Sequence, residues 1–97
     1  MTDTNEEFWY DAKTAIAVHA LPLLTDLRDK HIGFPGELLR LHNQDTNRAN
    51  DAWTTILSQI VWSLETVTRD LDLSKEEYEE RQRGFNLLGR WFGHLWD

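Results

Sequence analysis

One stretch of the chain leaves little choice of secondary structure. After Trp53, the apolar residues Leu57, Ile60, Leu64, Val67 and Leu71 follow at steps of 4, 3, 4, 3 and 4 residues. That spacing keeps side chains on one face of an α-helix and would scatter them over both faces of a strand. Ile56 and Val61 widen the line to a full core-facing side. Asp45, Thr46 or Asn50 can cap its start. Roughly 25 residues of helix make a rod about 37 Å long, and the rest of the chain has to pack along it.

The segment Asp70-Leu-Asp-Leu73 is a short connection, so the next element returns antiparallel to the rod. Ser74 opens it, and Glu77 three residues later completes a capping box. An apolar stripe then runs through Tyr78, Phe85, Leu88, Phe92 and Leu95. Phe92, like Trp53, is expected in the core. Gly89 and Gly93 lie one turn apart within this helix, each costing about 1 kcal/mol of helix stability relative to Ala. Two such costs imply a bare surface, used against another helix or a bound group.

The N-terminal third repeats the helical pattern from about Thr4 to Lys30, through Phe8, Ala12, Ala15, Ile16, His19, Leu23 and Leu27. Thr4 or Asn5 can cap it, with Glu6 and Glu7 against the positive end of the helix dipole. Pro22 removes one backbone bond and crowds the preceding turn, which predicts a kink or two helices meeting end to end. His31-Ile-Gly-Phe-Pro-Gly36 is the clearest break: Gly33 closes the first helix, Phe34 before Pro35 is extended, and Pro35 suits the first turn of a short helix through Leu41. His42 to Asn50 is polar and reads as loop, with helix able to start inside it. The fold read from these elements is all-α. It is a compact bundle of three long helices and one short helix, the last two long helices forming an antiparallel hairpin. It makes one domain over residues 1–97.

Composition narrows what such a domain does. The 97 residues are 40% hydrophobic and 28% charged, an ordinary globular balance. The net charge of −7 argues against a general grip on nucleic-acid phosphates, which requires clustered Lys and Arg. Cysteine is absent, which removes thiolate metal sites and disulfides. The opening Met-Thr-Asp-Thr-Asn-Glu-Glu does not resemble a signal peptide. The longest apolar run, Ile16 to Leu24, holds a His and a Pro and falls far short of the ~20 residues of a membrane span. A cytoplasmic protein without membrane contact is expected.

No two histidines stand at i, i+4 and no Glu-x-x-His occurs, so neither a helical zinc site nor a di-iron bundle is indicated. His19, on the apolar stripe, reads as a hydrogen-bonded core residue. No Gly-x-Ser-x-Gly elbow is present. The run Glu76, Glu77, Glu79, Glu80 is accounted for by its place at a helix start. The chain reads as a non-enzyme with no cofactor and no metal.

Binding chemistry is better represented. Arg83, Leu87, Arg90 and His94 fall along one stripe of the last helix, with Trp91 beside it and Gly89 allowing close approach. Guanidinium groups grip phosphates bidentately and an indole offers a flat face to a base, which together suit a nucleotide-sized anion. The alternative is that Arg83 and Arg90 pair with carboxylates such as Glu79 and Glu80, one turn back. Trp62 lies off the main stripe, near Thr55, Ser58 and Thr66. With Gly93 and Trp96 it reads as an interface anchor of a homo-oligomer.

The Gly33-Phe34-Pro35 turn, Ala52-Trp53-Thr-Thr-Ile-Leu57 and the closing Gly84-Phe-Asn-Leu-Leu-Gly-Arg-Trp-Phe-Gly-His-Leu-Trp-Asp97 together resemble a widespread group of small bacteriophage proteins with a similar aromatic Leu-Trp-Asp tail. The resemblance covers about the last two-thirds of the chain and brings no catalytic residues with it. It implies the cytoplasm of an infected bacterial host and an accessory role exercised by binding. Three roles follow as expectations. The first is counter-defence by sequestering an anionic nucleotide-like immune signal. The second is antagonism of a host or defence protein through an acidic and aromatic surface. The third is a part in phage structure or assembly.

Overall fold

The computed structural model describes residues 2–69 and 71–95, with side chains described from residue 12 onward. Four α-helices follow in order: α1 (Thr2–Lys30), α2 (Gly36–Leu41), α3 (Thr46–Thr68) and α4 (Lys75–Trp91), with a 3₁₀ turn over Phe92–His94. The chain is all-α among the described residues, and its centre is the rod that the periodicity of the Trp53 stripe dictates.

Helix α3 starts where Asp45 accepts a hydrogen bond from the Arg48 amide at 3.1 Å, meeting one of the donors that a first turn leaves over. Trp53, Leu57, Ile60, Val61 and Leu64 are all buried, and full burial of each such side chain is worth roughly 1.5–3 kcal/mol. Leu71 lies beyond the helix and is exposed. Of the polar stretch His42 to Asn50, residues 46–50 already belong to α3, and the turn before it includes Asn43 and Gln44, which take left-handed φ values of 56° and 64°.

Helices α1 and α4 each pack on α3, and α2 packs on α3 as well. Among the described residues α1 and α4 come nowhere within 8 Å of each other, Cα to Cα. The hairpin of α3 and α4 is antiparallel. The Trp53 and Trp91 rings meet edge to face at 5.8 Å, while further along α3 the Gln59 amide donates to the Glu80 carbonyl at 3.1 Å. The Ser74–Glu77 capping box is complete in both directions, at 3.0 and 3.2 Å.

Helix α1 departs from expectation in three ways. It already begins at Thr2, upstream of the Thr4 or Asn5 cap, and it runs through Pro22 without a break. Pro22 is exposed, so water can serve the Val18 carbonyl that a proline leaves without its amide partner. The face that α1 turns to the core holds Ala17 and Leu24, seven residues apart. Of the stripe read from the sequence, Ala15, Ile16, His19 and Leu23 are exposed, whereas Ala12 is half-buried and Leu27 half-buried against the core. His19 is therefore not a core histidine. The Phe8 side chain lies outside the described residues.

The link to α2 is tied down by His31, whose ring donates through Nδ1 to the Gly33 carbonyl and meets the Thr54 hydroxyl of α3 through Nε2, each at 2.9 Å. Helix α1 ends at Lys30 with no glycine at positive φ, so Gly33 does not serve as a left-handed cap. Pro35 stands at the N-cap of α2, extended at φ −60° and ψ 135°.

Candidate functional site

The basic and aromatic stripe of α4 proves to be already engaged. Arg83 Nη1 pairs with Glu80 Oε1 one turn back, one of the two partners the sequence offers. Arg90 Nη2 pairs with Glu37 Oε1 of α2, and its guanidinium lies 4.4 Å from the centre of the Trp91 ring. Trp91 is only 4% exposed. It fills the core between α3 and α4 and cannot offer its face to a base, which corrects its assignment as a stacking platform. His94, half-buried, sets its ring edge to face against Trp91 at 5.7 Å. These contacts describe a seam joining α2, α3 and the end of α4.

Rotation of α4 explains the difference. Its buried residues are Gly84 and Trp91, seven apart, with Leu87, Leu88 and Leu95 half-buried beside them. Of the anticipated stripe, Phe85 is half-buried against the core with Leu88 and Leu95, while Tyr78 and Phe92 are turned outward. Tyr78 is exposed under the Arg81 guanidinium at 4.7 Å, and Phe92 is 57% exposed. Phe92 is thus not a core residue.

The glycines are redistributed in the same way. Gly89 and Gly93 are exposed, and a Cβ on either would meet nothing within 4 Å, so neither marks a close helix contact. The close contact is at Gly84. A Cβ there would collide with Ser63 Oγ and lie 2.6 Å from Ser63 Cβ and 2.9 Å from the Gln59 carbonyl oxygen. Its signal in the sequence is the seven-residue spacing to Trp91, which places both on the line facing α3. Ser63 Oγ is buried with no hydrogen-bond partner among the described residues. Trp62, anticipated as an exposed anchor, is half-buried, and Trp96 lies outside the described residues.

An open apolar surface lies between α1 and α4. Because α1 and α4 lean on α3 without meeting, a groove remains between them. Ile16, Leu23 and Leu27 form one wall, and Leu88, Phe92 and Leu95 the other. Its volume is about 610 Å³. A second hollow of about 240 Å³ shares Ile16 and Leu88 with it and reaches down to Leu64 and Val67 of α3. Ile16 is 65% exposed and Leu23 71% exposed. Soluble domains rarely leave large apolar side chains gathered in this way unless the surface is used.

The charges around this groove reverse the balance of the chain. Lys13 and Arg81 line the smaller hollow, and Lys30 the larger. Asp26 is the one carboxylate among the described residues lining either, and it pairs with Lys30 at 3.6 Å. Elsewhere acidic residues outnumber basic ones, 17 to 10 over the whole chain.

Among the described residues the polar side chains lining the groove are Asp26, Lys30 and His31. The Arg28–Asp29 hydrogen bond lowers the Asp29 carboxyl from its ordinary value; it joins adjacent residues of α1, and Glu65 of α3 also acts on Arg28. Among the described residues no three His, Asp or Glu side chains converge as a metal site would require. No described helix is long and apolar enough to cross a membrane. Compared with protein-family models, curated proteins and solved structures, the chain matches none of them.

Proposed function

We propose that the protein is a non-catalytic binding protein that engages another protein through the apolar groove between α1 and α4. One observation carries the reading: Ile16 and Leu23 of α1 and Phe92, just beyond α4, are all more than half exposed along one groove. Covering such side chains is worth roughly 25 cal/mol per Å² of apolar surface. The resemblance of the chain's last two-thirds to small phage proteins makes the partner a host or defence protein in the cytoplasm of an infected bacterium. Sequestering a nucleotide-like signal draws less support, since Arg83 and Arg90 are ion-paired and Trp91 is buried.

The test places a photo-crosslinking amino acid at position 23, or at the exposed position 48 as a control, in cells producing the protein in its native setting. A discrete protein adduct from position 23, absent from position 48 and lost with Phe92→Asp, is the expected result. Equal labelling from both positions, or none from position 23, would sink the reading. Purification with a bound nucleotide would restore the signal-sequestering alternative.

A further inference from the structure

Resting on that reading, we infer that the segment docking in the α1–α4 groove is an amphipathic α-helix whose apolar stripe is flanked by acidic side chains. The groove is a missing-helix site. Ile16, Leu23 and Leu27 face Leu88, Phe92 and Leu95, and past Ile16 and Leu88 the smaller hollow reaches Leu64 and Val67 of α3. From Ile16 to Lys30 the α1 wall runs roughly 21 Å, about four helical turns. Apolar side chains along each wall at three- and four-residue steps present ridges that accept another helix at a small crossing angle. Strand addition has no counterpart, because no sheet edge occurs among the described residues.

The charges select the flanks. Lys30 borders the groove, paired with Asp26, and Lys13 and Arg81 line the hollow that continues it past Ile16 and Leu88. Neither Lys13 nor Arg81 is in an ion pair with a described residue. Acidic side chains along the incoming helix would meet these cations at the rim, where such pairs set orientation and partner choice. A two-fold contact between copies, groove on groove, would instead set like-charged rims against each other.

Two labelled peptides of about 18 residues, each roughly 27 Å long as a helix, test this by fluorescence anisotropy against the full-length protein. Both carry Leu at helical spacing; one is flanked by Glu and the other by Lys. At low salt the Glu peptide should bind about tenfold or more tightly than the Lys peptide, and the gap should narrow as salt is raised. The double variant Lys13→Glu, Arg81→Glu should reverse the order. Phe92→Ser should weaken both peptides, and circular dichroism should show each variant's helix content unchanged. Equal affinity for the two peptides would overturn the inference. So would a dimer in sedimentation equilibrium that the peptides cannot displace, or binding only to anionic lipid vesicles. A position-23 adduct in cells combined with equal peptide affinities would leave a protein partner standing and remove only the acidic helix.

Discussion

Helices α3 and α1 carry the same kind of sequence and meet opposite fates. Both show apolar residues at helical spacing, from Trp53 to Val67 at steps of 4, 3, 4 and 3 on α3 and through Ile16, Ala20, Leu23 and Leu27 on α1. On α3 that line is buried, from Trp53 at 1% exposure through Leu64. On α1 the corresponding line, through Ile16 and Leu23, is open, and the helix is held instead by a narrower second line through Ala17 and Leu24. A hydrophobic stripe therefore states which side of a helix gains from being covered, not that its own chain supplies the cover. Where a helix has two apolar lines, the smaller side chains allow the closer approach to a neighbour, and the larger ones are left for something else.

The sharpest way to break this contrast is to truncate one side chain from each class. Trp53→Ala should lower stability by about 3–5 kcal/mol, the range for a fully buried large aromatic. Phe92→Ala, at a side chain 57% exposed, should cost about 1 kcal/mol, a typical point-substitution loss. Urea melts of both variants measure the difference. Comparable losses would mean that the Phe92 side of the groove is closed in solution.

The next largest effect concerns where helices touch most closely. Gly84→Ala puts a Cβ against Ser63 and the Gln59 carbonyl, and forced overpacking of this kind costs about 1–3 kcal/mol. If the collision with Ser63 is the cause, Ser63→Gly should recover part of the loss, giving a coupling energy of about 0.5 kcal/mol or more in a double-mutant cycle. Additive losses would relocate the strain to the Gln59 carbonyl. By contrast, Gly89→Ala should stabilise by up to about 1 kcal/mol, because its Cβ meets nothing and Ala is the better helix former. Thermal melts would register opposite signs for two glycines five residues apart.

Much of this architecture was legible before any packing was known. The α3 stripe, the Ser74–Glu77 box and the antiparallel hairpin follow from local spacing, capping chemistry and a short connection, all of which act within a few residues. The pairing of Arg83 with Glu80 is of the same local kind. What was not legible depends on helix rotation. The wall residues of α4 were read as its core line, whereas the core line proper runs through Gly84 and Trp91, because Gly84 lets α4 sink against Ser63. The salt bridge of Arg90 with Glu37 spans 53 residues and leaves no local trace. The groove belongs to this second class: its apolar side chains stand out in the sequence, while their exposure follows only from α1 and α4 sitting apart on α3.

The smallest expected effect is also the most direct measure of the contrast. Leu23 is 71% exposed, so replacing it by Gln removes little apolar surface from the folded interior and asks no buried group to lose a hydrogen bond. Its stability should change by less than about 0.5 kcal/mol, where Leu57→Ala, at a fully buried site on α3, should cost about 2–5 kcal/mol. Protein concentration gives the measurement its second axis. A self-associated groove would make the cost of Leu23→Gln grow with concentration, because mass action ties dimer stability to the amount of protein present. A cost near zero at every concentration would leave α1's larger stripe open in the isolated chain, its cover to be supplied by a different molecule.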